Sequence, residues 1–170
     1  KKNFQTTIGM IGNFQIYNVV ASASICIALG MDSNLIFKSL GYLKPARGRM
    51  EVLSETKNNA LVIIDYAHSP DALTSALKSI QEITDRGRII TLFGCGGDRD
   101  KDKRQIMGKL AYKYSDIVIV TDDNPRNETP SIIRKEILIG CPTATEIPNR
   151  DKAIKYAISN LQKNDLLLIA

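Results

Sequence analysis

Asp122-Asp123-Asn124-Pro125-Arg126 brings two carboxylates, an amide and a guanidinium into five consecutive positions. The preceding run, Ile117 to Thr121, is β-branched throughout and reads as a buried strand. Pro125 fixes its own φ and pushes Asn124 toward an extended conformation, so the stretch does not continue into a helix. The expectation is a rigid loop at a strand's carboxyl end, where open α/β sheets take their ligands. A carboxylate holds an ammonium group, and an arginine fork holds a carboxylate through two parallel hydrogen bonds. The loop suits a zwitterionic, amino-acid-like ligand. The alternative is a polar turn with Arg126 solvated.

Leu92 to Asp100 runs from a strand through Gly94-Cys95-Gly96-Gly97 into Asp98-Arg99-Asp100. Such a loop lets backbone amides approach an anion at a helix N-terminus. Arg99 stands where the dinucleotide fingerprint needs a third glycine, which excludes a nicotinamide site of that type. No Gly-x-x-x-x-Gly-Lys-Ser/Thr phosphate loop occurs in the chain. Asp65-Tyr66-Ala67-His68 ends another apolar run, and a carboxylate at a strand end suits ribose hydroxyls. His68 is the single histidine, a residue that caps or packs more often than it catalyses. Taken alone, Arg49 reads as a solvated charge, and Asn18 as a residue that stabilises a helix start.

The elements that must position these groups alternate. Phe14 to Leu29 reads as a helix capped by Gly30, and Asp32 or Ser33 opens a second one. Gly41 to Arg49 reads as a hinge. Met50–Ser54 and Leu61–Ile64 flank Asn58-Asn59 as a hairpin. There follow a helix over 70–83, a strand over 88–93, a helix over 102–114 and a strand over 117–121. Pro130 opens a helix, residues 151–161 form another, and a buried strand begins at Asp165. This order calls for an α/β fold with a mostly parallel sheet covered on both faces. The last strand reaches Ala170 without a following loop, and the opening helices have no sheet to cover. Both points suggest a piece of a larger enzyme.

Composition bounds the function further. The chain has 170 residues, 44% of them apolar, which supports a packed core. Three isolated cysteines and one histidine exclude an ordinary zinc site, make a disulfide framework improbable and fit a reducing, cytosolic setting. The net charge of +5 is dispersed and aromatics are only 6%, so small anionic ligands fit better than nucleic acid. The longest apolar stretch, 19–31, is too short to span a bilayer.

In this order the motifs Asp65-Tyr66-Ala67-His68, Gly94-Cys95-Gly96-Gly97-Asp98-Arg99 and Asp123-Asn124-Pro125-Arg126 resemble the Mur ligases of peptidoglycan synthesis. The resemblance runs from Gly12 to Ala170. It implies a Rossmann-like ligase domain over 46–170, preceded over 1–45 by the last helices of a truncated ATP-binding domain. It also implies ATP and Mg²⁺, with the metal ligands outside this chain, and a UDP-MurNAc-dipeptide that receives an amino acid through an acyl phosphate. By the same likeness Asn18, Arg49, Asp65 and His68 face ATP. Arg99, Asp123, Asn124, Pro125 and Arg126 match the recognition residues for meso-diaminopimelate. Gln15 stands where the family has asparagine and is left out of the site. No residue here is assigned as a catalyst, and the piece alone is expected to be inactive and monomeric.

Diaminopimelate carries one carboxylate more than lysine. Lysine would leave a desolvated Arg126 unpaired, at a cost of roughly 1–3 kcal/mol. Two alternatives stand beside this expectation. One is a related ligase for another acceptor, lysine or a folate-type glutamate; the other is a non-catalytic Rossmann-like binding domain.

Overall fold

A computed structural model describes residues 3, 5–55, 58–83 and 87–170. Its strands are β1 (Glu51–Glu55), β2 (Leu61–Ile64), β3 (Ile89–Phe93), β4 (Ile117–Val120), β5 (Thr145–Glu146) and β6 (Leu166–Ile169). They form one sheet in the order β1-β2-β6-β3-β4-β5. Only β1 runs antiparallel, against β2; the other pairings are parallel. Every residue of β3 and of β6 is buried. That explains why both read as unbroken apolar runs: each face of a parallel sheet is covered, so alternation disappears.

Helices α3 (Pro70–Gln81), α4 (Asp102–Tyr114) and α5 (Pro130–Leu138) follow β2, β3 and β4, and α6 (Arg150–Ser159) leads into β6. Leu73, Leu77 and Ile80 of α3, with Met107 of α4 and Ile137 of α5, share one core with Ile63, Phe93 and Leu168. On the opposite face Ala153 and Ala157 of α6 pack on Ile90, Leu92, Ile119 and Leu167. The mostly parallel sheet with helices on both faces is therefore as expected. Local chemistry sets the helix ends. Ser69 accepts the Ala72 amide at the start of α3, with Pro70 following at N1.

The first helices, α1 (Phe14–Ala28) and α2 (Ser33–Ser39), have a small core of their own: Val19, Ala23, Ile36 and Leu40. Gly30, at φ +87°, ends α1 with the paired bonds Gly30 N–H to Ile27 and Met31 N–H to Cys26. Asp32 rather than Ser33 caps α2, accepting the Asn34 amide. Ile11 and Phe14 tie this part to the main core, while Ile16, Tyr17, Val20, Ile25 and Leu29 remain exposed.

Two features differ from expectation or fall outside it. β5 has only two residues, too few to leave a periodic signal, yet it extends the sheet beyond β4. The hairpin pairing of β1 with β2 is present, but residues 56 and 57 of its connection lie outside the described residues, so the tight turn at Asn58-Asn59 is not established. Among the described residues no helix is long and apolar enough to cross a membrane.

Candidate functional site

The carboxyl ends of β2, β3, β4 and β6 open into one cavity of about 460 Å³. Asp65 directly follows β2 and is buried. Its Oδ2 accepts the Met50 amide at 2.9 Å, and its own amide donates to the Ile169 carbonyl across the sheet. Burial raises the Asp65 pKa, opposed by the Met50 amide and then by the Arg49 charge. The Arg49 guanidinium lies 5.2 Å from the centre of the exposed Tyr66 ring, and the His68 ring lies 5.1 Å away on the same tyrosine. His68 Nδ1 sits 3.0 Å from the Tyr66 carbonyl, which can only accept, so Nδ1 carries the proton and Nε2 is left for other partners. Lys103 Nζ donates to the His68 carbonyl at 2.8 Å.

The Gly-rich loop and the 122–128 loop are tied together at this edge. Gly97 N–H donates to the Asn124 carbonyl, and Asp98 Oδ2 accepts from both the backbone and the side-chain amide of Asn127. The Arg126 guanidinium turns back over the glycines, donating from Nη1 to the Gly97 carbonyl at 2.7 Å. A side chain at Gly97 would collide with the Pro125 carbonyl, so only glycine allows this approach.

Two buried arginines hold the outer loop. Arg104 of α4, with no exposed side-chain surface, donates to both oxygens of Glu128 at 2.8 and 3.0 Å, to Glu136 at 2.6 Å and to the Gly96 carbonyl at 3.3 Å. Glu128 Oε1 also accepts the Asp98 amide at 2.6 Å. The Arg104 guanidinium holds the Glu128 carboxyl down to about 2. Arg134 of α5 pairs with Asp122 at the start of the loop and with Glu146 of β5 at 2.6 Å. Burial works against the Arg134 charge, but the hydrogen bonds to Glu146 and Asp122 more than offset it.

The expected site residues are distributed as follows. Arg49, Asp65, His68 and Asp123 line the 460 Å³ cavity. Arg126 lies against its Gly96 wall. Asn124 and Pro125 build the loop: Asn124 Oδ1 accepts the Arg126 amide, and the Pro125 carbonyl accepts the Glu128 amide. Arg99 is exposed further along the Gly-rich loop and lines neither cavity. Asn18 lines a second cavity of about 750 Å³ beside α1, and Arg49 borders both.

One expectation, a desolvated Arg126, needs correction, and the structure adds detail at Asp122 and Gln15. Asp122 is not a free ligand carboxylate, because Arg134 occupies it. Arg126 is an exposed residue, so its preference for a partner cannot rest on desolvation. Gln15, left out of the site, is buried; its Oε1 accepts from Asn18 Nδ2 at 3.1 Å, and its Nε2 lies 3.5 Å from the Arg49 carbonyl. Sequence reasoning also missed Lys103 and Arg150, which line the cavity. Each sits in the first turn of a helix beyond a strand end, and that position is the signal that could have found them.

An α/β domain with its loops gathered at the carboxyl edge of a mostly parallel sheet has the arrangement in which open α/β folds take ligands. Residues 48–170 match the family model described as Mur ligase, glutamate ligase domain, and the chain belongs to that family. It is 44% identical, over 98% of its length, to the UDP-N-acetylmuramoyl-L-alanyl-D-glutamate--2,6-diaminopimelate ligase of Rhizobium meliloti (strain 1021). Identity to the ligase of the same name from Agrobacterium fabrum (strain C58 / ATCC 33970) is 47%. The chain covers 34% of each, so it spans about a third of the curated relatives it matches. A solved structure bearing that ligase name superposes with a TM-score of 0.70 at 33% identity, over 98% of this chain and 34% of that one. Escherichia coli FolC in complex with ADP superposes at 0.71 with 19% identity over 89% of this chain and 35% of that one, a likeness of fold alone.

Proposed function

We propose that this chain is part of an ATP-dependent amide ligase adding meso-diaminopimelate to UDP-N-acetylmuramoyl-L-alanyl-D-glutamate. One observation carries the reading: the Arg126 fork folded over the Gly96–Gly97 turn, at the wall of a cavity that also holds Asp123. An amino acid with a carboxylate and an ammonium at each end fits that arrangement, and the diaminopimelate ligases among the relatives support it.

The roles carried into this proposal are those the resemblance implies. Arg126 holds the distal carboxylate and Asp123 draws an ammonium, while Arg99, exposed on the neighbouring loop and outside the cavity, is assigned beside them by the resemblance alone. Asp65 accepts ribose hydroxyls from ATP; Arg49, between the two cavities, reaches the phosphates. Asn18 takes the base side, and His68 offers Nε2 to the nucleotide. The substrate's glutamate carboxylate takes a phosphoryl group from ATP, and the incoming amine then displaces phosphate as the amide forms. This chemistry rests on positioning and electrostatics, so it needs no side-chain nucleophile. Cys95 lines the cavity, but burial pushes its thiol up to about 11, which makes it a poor thiolate at neutral pH.

Mg²⁺ would neutralise charge on the phosphates when bound. Among the described residues no group of three His, Cys, Asp or Glu side chains could hold a metal, so no residue here is assigned to it. The same proposal carries the division at residues 45/46, small-molecule partners, a monomer in the cytosol, and a chain inactive by itself. Phosphate release by the full-length protein, with meso-diaminopimelate, lysine and glutamate supplied in turn, tests it. Release that requires diaminopimelate is the expected result; equal release with lysine would overturn the proposal.

A further inference from the structure

The exposure of Arg126 raises a question of mechanism. A guanidinium in water gains little from a single carboxylate unless both are held in register. Selectivity must then come from preorganisation, and the structure shows where that is built. The loop is pinned at its start by Arg134 on Asp122 and at its end by Arg104 on Glu128. Both arginines are buried, and neither faces the cavity. Between the pins Arg126 is kept at φ +48°, a conformation that non-glycine residues rarely adopt. Arg104 also reaches the Gly96 carbonyl, so one side chain sets the spacing of both loops around the fork.

We propose that Arg104 with Glu128, and Arg134 with Asp122, are positioning residues for amino-acid selection, fixing the Arg126 fork rather than touching substrate. The inference rests on the function proposed above and deepens it. It separates the residue that recognises the second carboxylate from those that make recognition selective.

The test uses the full-length protein and reads the kcat/KM ratio for diaminopimelate over lysine, beside the KM for ATP. Glu128→Gln keeps the shape but removes the charge that Arg104 grips. It should lower the ratio about tenfold through the diaminopimelate KM, leaving kcat and the ATP KM within about twofold. Arg134→Lys, which cannot bond Asp122 and Glu146 as a fork, should do the same and serves if Glu128→Gln does not fold. In an Arg126→Ala background neither change should lower the ratio further, because nothing remains to be positioned. An unchanged ratio in both single variants, or an equal loss with Arg126 absent, overturns the inference while leaving the proposed function standing. Arg126→Ala with its preference intact would overturn both.

Discussion

In the proposed site, Arg126 is a surface charge held in one geometry. Its backbone is strained, its amide is held by Asn124 Oδ1, and its guanidinium is steered by the Gly97 carbonyl. Arg126→Ala is expected to raise the diaminopimelate KM about tenfold to a hundredfold, the worth of a charge-assisted hydrogen bond of about 1.5–3 kcal/mol, with ATP affinity nearly unchanged; steady-state kinetics with each substrate varied checks this. Asp65 has two tasks, because the carboxylate that faces the cavity also satisfies the Met50 amide. Asp65→Ala should therefore weaken ATP binding and also cost about 1–3 kcal/mol of stability, whereas Asp65→Asn should keep most of the fold and lose mainly the nucleotide. Calorimetric ATP titration beside urea unfolding separates the two effects. The strand-end loops that carry Asp65, His68, Asp123 and Arg126 are legible in the sequence because each is a short polar stretch directly after an apolar run. Gln15 was not: its burial depends on how α1 meets the Arg49 segment, which no local pattern encodes.

Among elements, the two loops and the two helices behind them act as one unit. Gly97 is where they meet most closely, and Gly97→Ala must force the Pro125 carbonyl away. A stability loss of about 1–3 kcal/mol in urea unfolding, together with a higher diaminopimelate KM, is the expected outcome. The ion pairs give this unit a pH signature. Glu128 is depressed from 4.5 to about 2 in the folded protein, so its stabilising contribution is complete above pH 4.5 and disappears as pH falls toward 2. Unfolding free energies measured across that window should fall less steeply in Glu128→Gln than in the parent. None of these pairs could be read in advance. Arg104 meets partners 24 and 32 positions away, and only the packing of α4 on α5 brings them together.

For the whole molecule, the strands and helices were legible because buried parallel strands read as continuous apolar runs and most helices carry caps or a first-turn proline. The strand order was not legible, since periodicity says which residues pair inward but not with whom. β6 is the last strand along this chain, yet it lies between β2 and β3 and hydrogen-bonds to both. While a ribosome is still making residues 166–169, β2 and β3 therefore have no shared neighbour, and each offers a bare apolar edge. The halves of the sheet wait, exposed to mispairing, until β6 threads between them, so these two halves join only once residues 166–169 have left the exit tunnel.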